Sequence, residues 1–142
     1  MVKIVNGDLL DCKEEILCHQ VNTHGSMGGG VAYQIKQKYP LANAEYEKFC
    51  SGKTENELIG QVCSVICKDK TIVNIFSQKG SNTDYDALRQ CLTTVADVYK
   101  GKAVAMPYKI GCGIAKGNWN TVLRIIEEIF QDAEVTLYKF NG

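Results

Sequence analysis

The chain has 142 residues, 45% of them hydrophobic and 23% charged, which fits one ordinary globular domain over residues 1–142 with enough apolar surface to build a core. Lysine plus arginine equals aspartate plus glutamate at 16 each, so no global field favours a polyanion; nucleic acid is not indicated as a partner. No apolar run is long enough to span a bilayer and no segment reads as a signal peptide, so no membrane partner and a cytoplasmic location are expected.

Residues 2–5 read as a short strand closed by Asn6, Gly7 and Asp8. Residues 15–22 form a second strand, mostly apolar and therefore central. A glycine-rich loop follows, and a helix over residues 31–39 stops before Pro40. Residues 41–50 read as another helix, with Ala42, Tyr46 and Phe49 on one side. Residues 60–67 and 71–76 are strands joined by a tight turn through Lys68, Asp69 and Lys70. Thr83, with Asp86 three residues on, is the expected N-cap of a helix whose apolar stripe runs Leu88, Cys91, Leu92, Val95, Val98 and Tyr99. Residues 103–106 are a strand ended by Pro107, and a second glycine loop spans 109–117. Asn118 caps the last helix, where Val122, Ile125, Ile126, Ile129 and Phe130 form the stripe. Residues 135–140 close the chain as a strand. Strands and helices alternate, which predicts an α/β fold: a three-layer α/β/α domain with a mixed central sheet.

The seven cysteines include no CxxC pair and have no histidine partners at zinc spacing. Most lie in apolar runs and read as small buried hydrophobes in a reducing compartment. No metal or cofactor is expected.

Chemistry concentrates in the two glycine loops. Gly28, Gly29 and Gly30 sit where a helix should start. Such a junction presents backbone N–H groups at the positive end of a helix dipole, and glycine admits close approach, so a diphosphate is the natural ligand. The second loop, YKIGCGIAKGNW, also leaves a strand and enters a helix. Loops at the carboxyl edge of one sheet can clasp one ligand from two sides. No GKS or GKT makes this a P-loop, and GxGxxG is absent from the first βα turn.

The run HQVNTHGSMGGGVAYQIKQKYP, the GDLL at residues 7–10 and MPYKIGCGIAKGNW near the end together resemble a macro domain over essentially the whole chain. They are most similar to the compact branch that includes the terminal ADP-ribose protein glycohydrolase and the yeast ADP-ribose 1″-phosphate phosphatase. The resemblance implies the macro-domain fold and ADP-ribose, or a derivative of it, as ligand, with an ADP-ribosylated protein as a further partner. It implies that Asp8 accepts the adenine amino group beside the backbone of Leu9. It sets Asn22 at the distal ribose, and Gly28, Gly29, Gly30 and Val31 at the diphosphate and distal ribose. Ile110, Gly111, Cys112, Gly113 and Ile114 wrap the diphosphate from the other side, with Ser77 and Gln78 at the same site. Met27 is expected to pack against the sugar or close the cleft. Charge alone supports the same division, since a carboxylate reads a base donor while amide N–H groups suit phosphate oxygens. Asp8 could equally be a turn carboxylate bonding its own backbone.

The glycohydrolase of this branch uses a lysine after the NIFSQ-like strand and an aspartate in the second loop. Gln78 and Ala115 stand at those positions here, and neither can form a Schiff base or transfer a proton. That mechanism is disfavoured. The phosphatase resemblance points instead to His19, three residues before Asn22, with His24 as the second catalytic candidate; each also has a plain structural reading, as a core and a surface histidine. The thiol of Cys112 lies near a helix start, but the position is read as contributing its N–H. The leading expectation is an ADP-ribose 1″-phosphate phosphatase. The alternatives are a non-catalytic ADP-ribose reader and a hydrolase of O-acyl-ADP-ribose or of ADP-ribosyl-carboxylate esters.

Overall fold

A computed structural model describes residues 1–140 of the protein, so the last two residues of the expected domain lie outside the described residues. Among the described residues, eight strands and five α-helices follow the chain: β1 (Val2–Asn6), β2 (Ile16–Val21), α1 (Gly30–Lys38), α2 (Pro40–Cys50), α3 (Glu55–Leu58), β3 (Val62–Cys67), β4 (Lys70–Phe76), β5 (Gln78–Lys79), β6 (Asn82–Thr83), α4 (Tyr85–Val98), β7 (Val104–Pro107), α5 (Trp119–Ile129) and β8 (Val135–Lys139). Six strands form one mixed sheet in the order β1-β8-β7-β2-β4-β3. Its neighbours pair parallel except β3, which runs antiparallel to β4 at the edge. The three-layer expectation therefore holds.

Strand periodicity explains the layers. On β2, Leu17 and Val21 pack toward α1 and α2, while Ile16 and Cys18 pack toward α4 and α5. Alternation puts His19 on the α1/α2 face and Gln20 on the other. Edge strand β3 buries only Cys63, Val65 and Cys67, on one side. In the α1/α2 layer, fully buried Phe76 stacks on Tyr46 and Phe49, with ring centroids 5.7 and 5.4 Å away. Truncating such a ring costs roughly 3–5 kcal/mol. Five of the seven cysteines are buried.

Most caps follow from sequence. Pro40 opens α2, and the Asn118 carboxamide accepts from Thr121 N at 3.2 Å to cap α5. One expectation is corrected. Asp84, not Thr83, caps α4, accepting from Ala87 N at 2.9 Å. Thr83 belongs to β6, and its hydroxyl is committed to Gly111 O. The β5–β6 hairpin and the four-residue α3, with its Thr54–Glu57 capping box, are too short to show a period in the sequence. No described helix is long and apolar enough to cross a membrane.

Candidate functional site

Parallel strands β2 and β7 both end at one edge of the sheet, and each runs directly into a loop. Between those loops lies a cleft of about 400 Å³, bordered by residues 19–22, Ser26, residues 28–32, Gln78 and residues 107–115.

On one side α1 starts at Gly30 with φ +59°, a left-handed conformation that a side chain would strain. Its N-cap, Gly29, has no side chain to cap the helix. The N–H groups of Gly30, Val31 and Ala32 make no hydrogen bond among the described residues. They are the orphan donors of a helix start, left open to an anion. On the other side, the N–H groups of Gly113, Ile114 and Ala115 likewise make no hydrogen bond among the described residues. Lys109 and Lys116, which flank that segment, both have φ of 60°. Such non-glycine strain concentrates at ligand loops. The two loops meet where Ile114 overhangs Gly29: a methyl group added at Gly29 would sit 3.2 Å from Ile114 Cδ1.

Asn22, immediately after β2, organises the front rim. Its Oδ1 accepts from Tyr46 Oη at 2.7 Å and from His24 N at 2.9 Å, and its Nδ2 donates to Ser26 O at 2.8 Å. Burial raises the Tyr46 hydroxyl pKa, so it remains a donor. Glu55 pins the next residue: its Oε2 accepts from Thr23 Oγ1 at 2.6 Å and from Gly80 N at 2.9 Å. Those bonds hold the Glu55 carboxyl below the usual carboxylate range. Tyr46 and Glu55 were not expected as site residues. Tyr46 reads as core because only its hydroxyl reaches the loop, and Glu55 lies in a helix too short to recognise.

His19 is 1% exposed and borders the cleft. Its Nε2 donates to Asn74 Oδ1 at 2.5 Å, directly across β2 and β4. Its Nδ1 has no partner among the described residues. Burial pushes the imidazole down to about 4, so it is neutral around pH 7 with a bare lone pair on Nδ1. His24 is exposed and does not border the cleft.

The other expected residues divide cleanly. Asn22, Gly28, Gly29, Gly30, Val31, Gln78, Ile110, Gly111, Cys112, Gly113 and Ile114 border one cleft. Asp8, Leu9, Met27 and Ser77 do not. Asp8 Oδ1 accepts from Leu10 N at 2.9 Å, capping a 3₁₀ turn over Leu9–Asp11; this is the local turn role, and it leaves Oδ2 uncommitted. Leu9 and Met27 are buried in the core beneath α1 and α2, because an apolar side chain gains more there than at a wet rim. Ser77 is fully buried, and its hydroxyl serves Gln20. Burial pushes the Cys112 thiol up, so it is protonated and a poor nucleophile. Gln78 borders the cleft, Lys79 turns to solvent, and Ala115 is buried, leaving no lysine or aspartate at the two glycohydrolase positions. Trp119 is half-buried and packs edge-on to Tyr108, with centroids 5.1 Å apart. Among the described residues no three His, Cys, Asp or Glu side chains are grouped to hold a metal ion.

The family model for the macro domain matches residues 18–126, which include both loops and most of the sheet. The chain belongs to the macro domain family. This macro domain is 31% identical, over 97% of its length, to the ADP-ribose 1″-phosphate phosphatase of Candida albicans, of which it covers 99%. It is also 31% identical to the DNA ADP-ribosyl glycohydrolase of Mycobacterium tuberculosis, over 100% of this chain but only 43% of that protein. The solved macrodomain of Mycobacterium tuberculosis DarG superposes with a TM-score of 0.83 at 30% identity, covering 97% of each chain. Thermosipho africanus DarTG, solved in complex with ADP-ribose, shares the fold at a TM-score of 0.79 and 19% identity, over 96% of this macro domain and 41% of that chain.

Proposed function

We propose that this macro domain binds ADP-ribose in the cleft and hydrolyses a derivative of it at the distal ribose, with ADP-ribose 1″-phosphate as the substrate and ADP-ribose and phosphate as products. One observation carries the reading: unpaired amides of the α1 start and of residues 113–115 border the same cleft from opposite sides. An anion such as a diphosphate satisfies both sets at once. The full-length similarity to a phosphatase supports the choice of leaving group.

In this reading Asp8 Oδ2 accepts the adenine amino group, with Leu9 beside it, and the remaining Nδ2–H of Asn22 faces the distal ribose. Water attacks phosphorus, the bond from phosphorus to the C1″ oxygen breaks, and that oxygen takes up a proton. His19, neutral and with a free lone pair, orients the water and accepts its proton. His24, which lies outside the cleft on the loop after Asn22, is assigned to protonate the leaving oxygen only once substrate draws that loop inward. A base held near 4 is weak, so most of the acceleration comes from positioning the substrate. An ADP-ribosylated protein is a second partner, and the cytoplasm the compartment.

A second reading is an ADP-ribose reader without catalysis. Gln78 and Ala115 favour it, because they stand in place of the lysine and aspartate of the glycohydrolase branch. Calorimetry with ADP-ribose tests what the readings share, and no binding at high micromolar ligand rejects both. Phosphate release from ADP-ribose 1″-phosphate separates them. Turnover should fall in His19→Ala and His24→Ala while ADP-ribose binding persists; full activity in both variants rejects the catalytic assignment. Release of an acyl group from O-acyl-ADP-ribose, with no phosphate release, would redirect the reading to ester hydrolysis.

A further inference from the structure

The segment that carries the unpaired amides of the second loop is held at both ends by a single residue, Thr83. The Thr83 hydroxyl donates to Gly111 O at 2.6 Å, and the Thr83 N–H donates to Ala115 O at 2.9 Å. Gly113, Ile114 and the N–H of Ala115 lie inside that bracket.

The hydrogen-bond directions follow from the chemistry. The Gly111 carbonyl can only accept, so the Thr83 hydroxyl must donate to it. The hydroxyl oxygen then accepts from Gln20 Nε2, at 3.1 Å. That orients the Gln20 carboxamide with its Oε1 toward Ser77, whose hydroxyl donates at 2.6 Å. Ser77 and Thr83 are nine-tenths or more buried, so this chain has little competition from water. A second bond, from Gly117 N at 2.8 Å, falls on the same Gly111 carbonyl and uses its other lone pair.

Two glycines make room for this bracket. Gly111 has φ +75°, and a methyl group there would lie 2.9 Å from Thr83 Oγ1 and 3.0 Å from Gln20 Oε1. One at Gly117 would lie 2.5 Å from Gly111 O. Gly113 has no such neighbour and faces open space. The glycines of this loop therefore serve two ends: Gly111 and Gly117 admit the support from behind, and Gly113 leaves the front clear.

We propose that Thr83, oriented by Gln20 and Ser77, is a positioning residue that presets the 113–115 amides to receive the ligand's diphosphate. This role rests on the reading of the cleft as an ADP-ribose site. The bracket fixes the loop before the ligand arrives, so the ordering cost is met in folding, not in binding. The diphosphate is bound alike in substrate and transition state, so its loss acts on KM more than on kcat.

The test compares Thr83→Val, Thr83→Ser and Gln20→Met with the wild type. Thr83→Val keeps the shape and the backbone N–H bond but removes the hydroxyl. It should weaken ADP-ribose binding by roughly tenfold, the scale of one lost buried hydrogen bond. KM for ADP-ribose 1″-phosphate should rise by a similar factor, with kcat changed less than about threefold. In the free protein, amide hydrogen exchange should speed up at Thr83, Lys116 and Gly117, whose N–H groups are bonded to Ala115 O, Gly113 O and Gly111 O, and not in α4. Thr83→Ser should restore affinity to within about twofold, since it restores the donor. Gln20→Met, which leaves the hydroxyl unoriented, should fall between, and it decides the matter if Thr83→Val does not fold. A wild type that binds no ADP-ribose overturns the reading of the cleft and this role with it. A wild type that binds, beside folded Thr83→Val and Gln20→Met that bind equally well, overturns this role alone.

Discussion

Replacing His19 by glutamine removes the imidazole that β2 buries at the wall of the cleft. The neutral imidazole is buried at 1% exposure, its Nε2–H is spent on Asn74, and burial lowers it from 6.5 to about 4. The unfolded chain takes up a proton below about 6.5, while the folded chain resists until about 4. The native state therefore binds fewer protons across that window, and stability falls as pH drops through it. The full depression corresponds to roughly 3 kcal/mol, and the part between pH 6.5 and 5 to about 2 kcal/mol. Carboxylates held low, such as Glu14 and Glu55, lose their stabilising charge only as pH falls below their ordinary 4.5, so the range above pH 5 isolates the histidine. Urea unfolding at half-unit steps from pH 5 to 7.5 should show the wild type losing about 2 kcal/mol, where His19→Gln stays flat. A proton NMR titration should find the His19 ring unprotonated at pH 5.5. Parallel stability curves for the two proteins, or a ring that titrates near 6.5, would falsify the buried-neutral assignment. The weak-base role in hydrolysis would go with it.

Tyr46→Phe removes the hydroxyl that holds Asn22 and should lower stability by about 1 kcal/mol while raising KM, readable by thermal melts and phosphate release; an unchanged KM would show that Asn22 holds its place without it. Glu55→Ala unties Thr23 from Gly80, so the Gly80 amide should exchange faster and turnover should drop; retained protection at Gly80 argues against the pin. Asp8→Ala should weaken ADP-ribose binding by about 1–3 kcal/mol if Oδ2 reads adenine, and equal affinity in calorimetry rejects that role.

Much of this macro domain was legible in its sequence because the signals are local. Alternating apolar runs, the helical stripe of α5, the Asn118 cap and the glycines after β2 and β7 each depend on neighbours within a turn or two. The family resemblance added the ligand, and the cleft collects most of the residues it implied. The capping error arose where a distant partner decides. Thr83 carries a capping residue's side chain one position before the true cap, and only the pull of Gly111 across the fold decides between Thr83 and Asp84.

The sequence by itself determined the order of the longer elements, the three layers and the open start of α1, since backbone propensity and hydrophobic period set them. Only the tertiary structure decided what those pieces do together. Parallel pairing of β2 with β7 brings residues 28–32 and 107–115 to one edge. Pairing of β2 with β4 sets His19 against Asn74, 55 residues away. Gln20 reaches Thr83 across 63 residues and Thr83 reaches Gly111 across 28. Those contacts exist because burying both faces of the sheet fixes which strands adjoin, and a buried polar group then takes whatever partner that packing supplies.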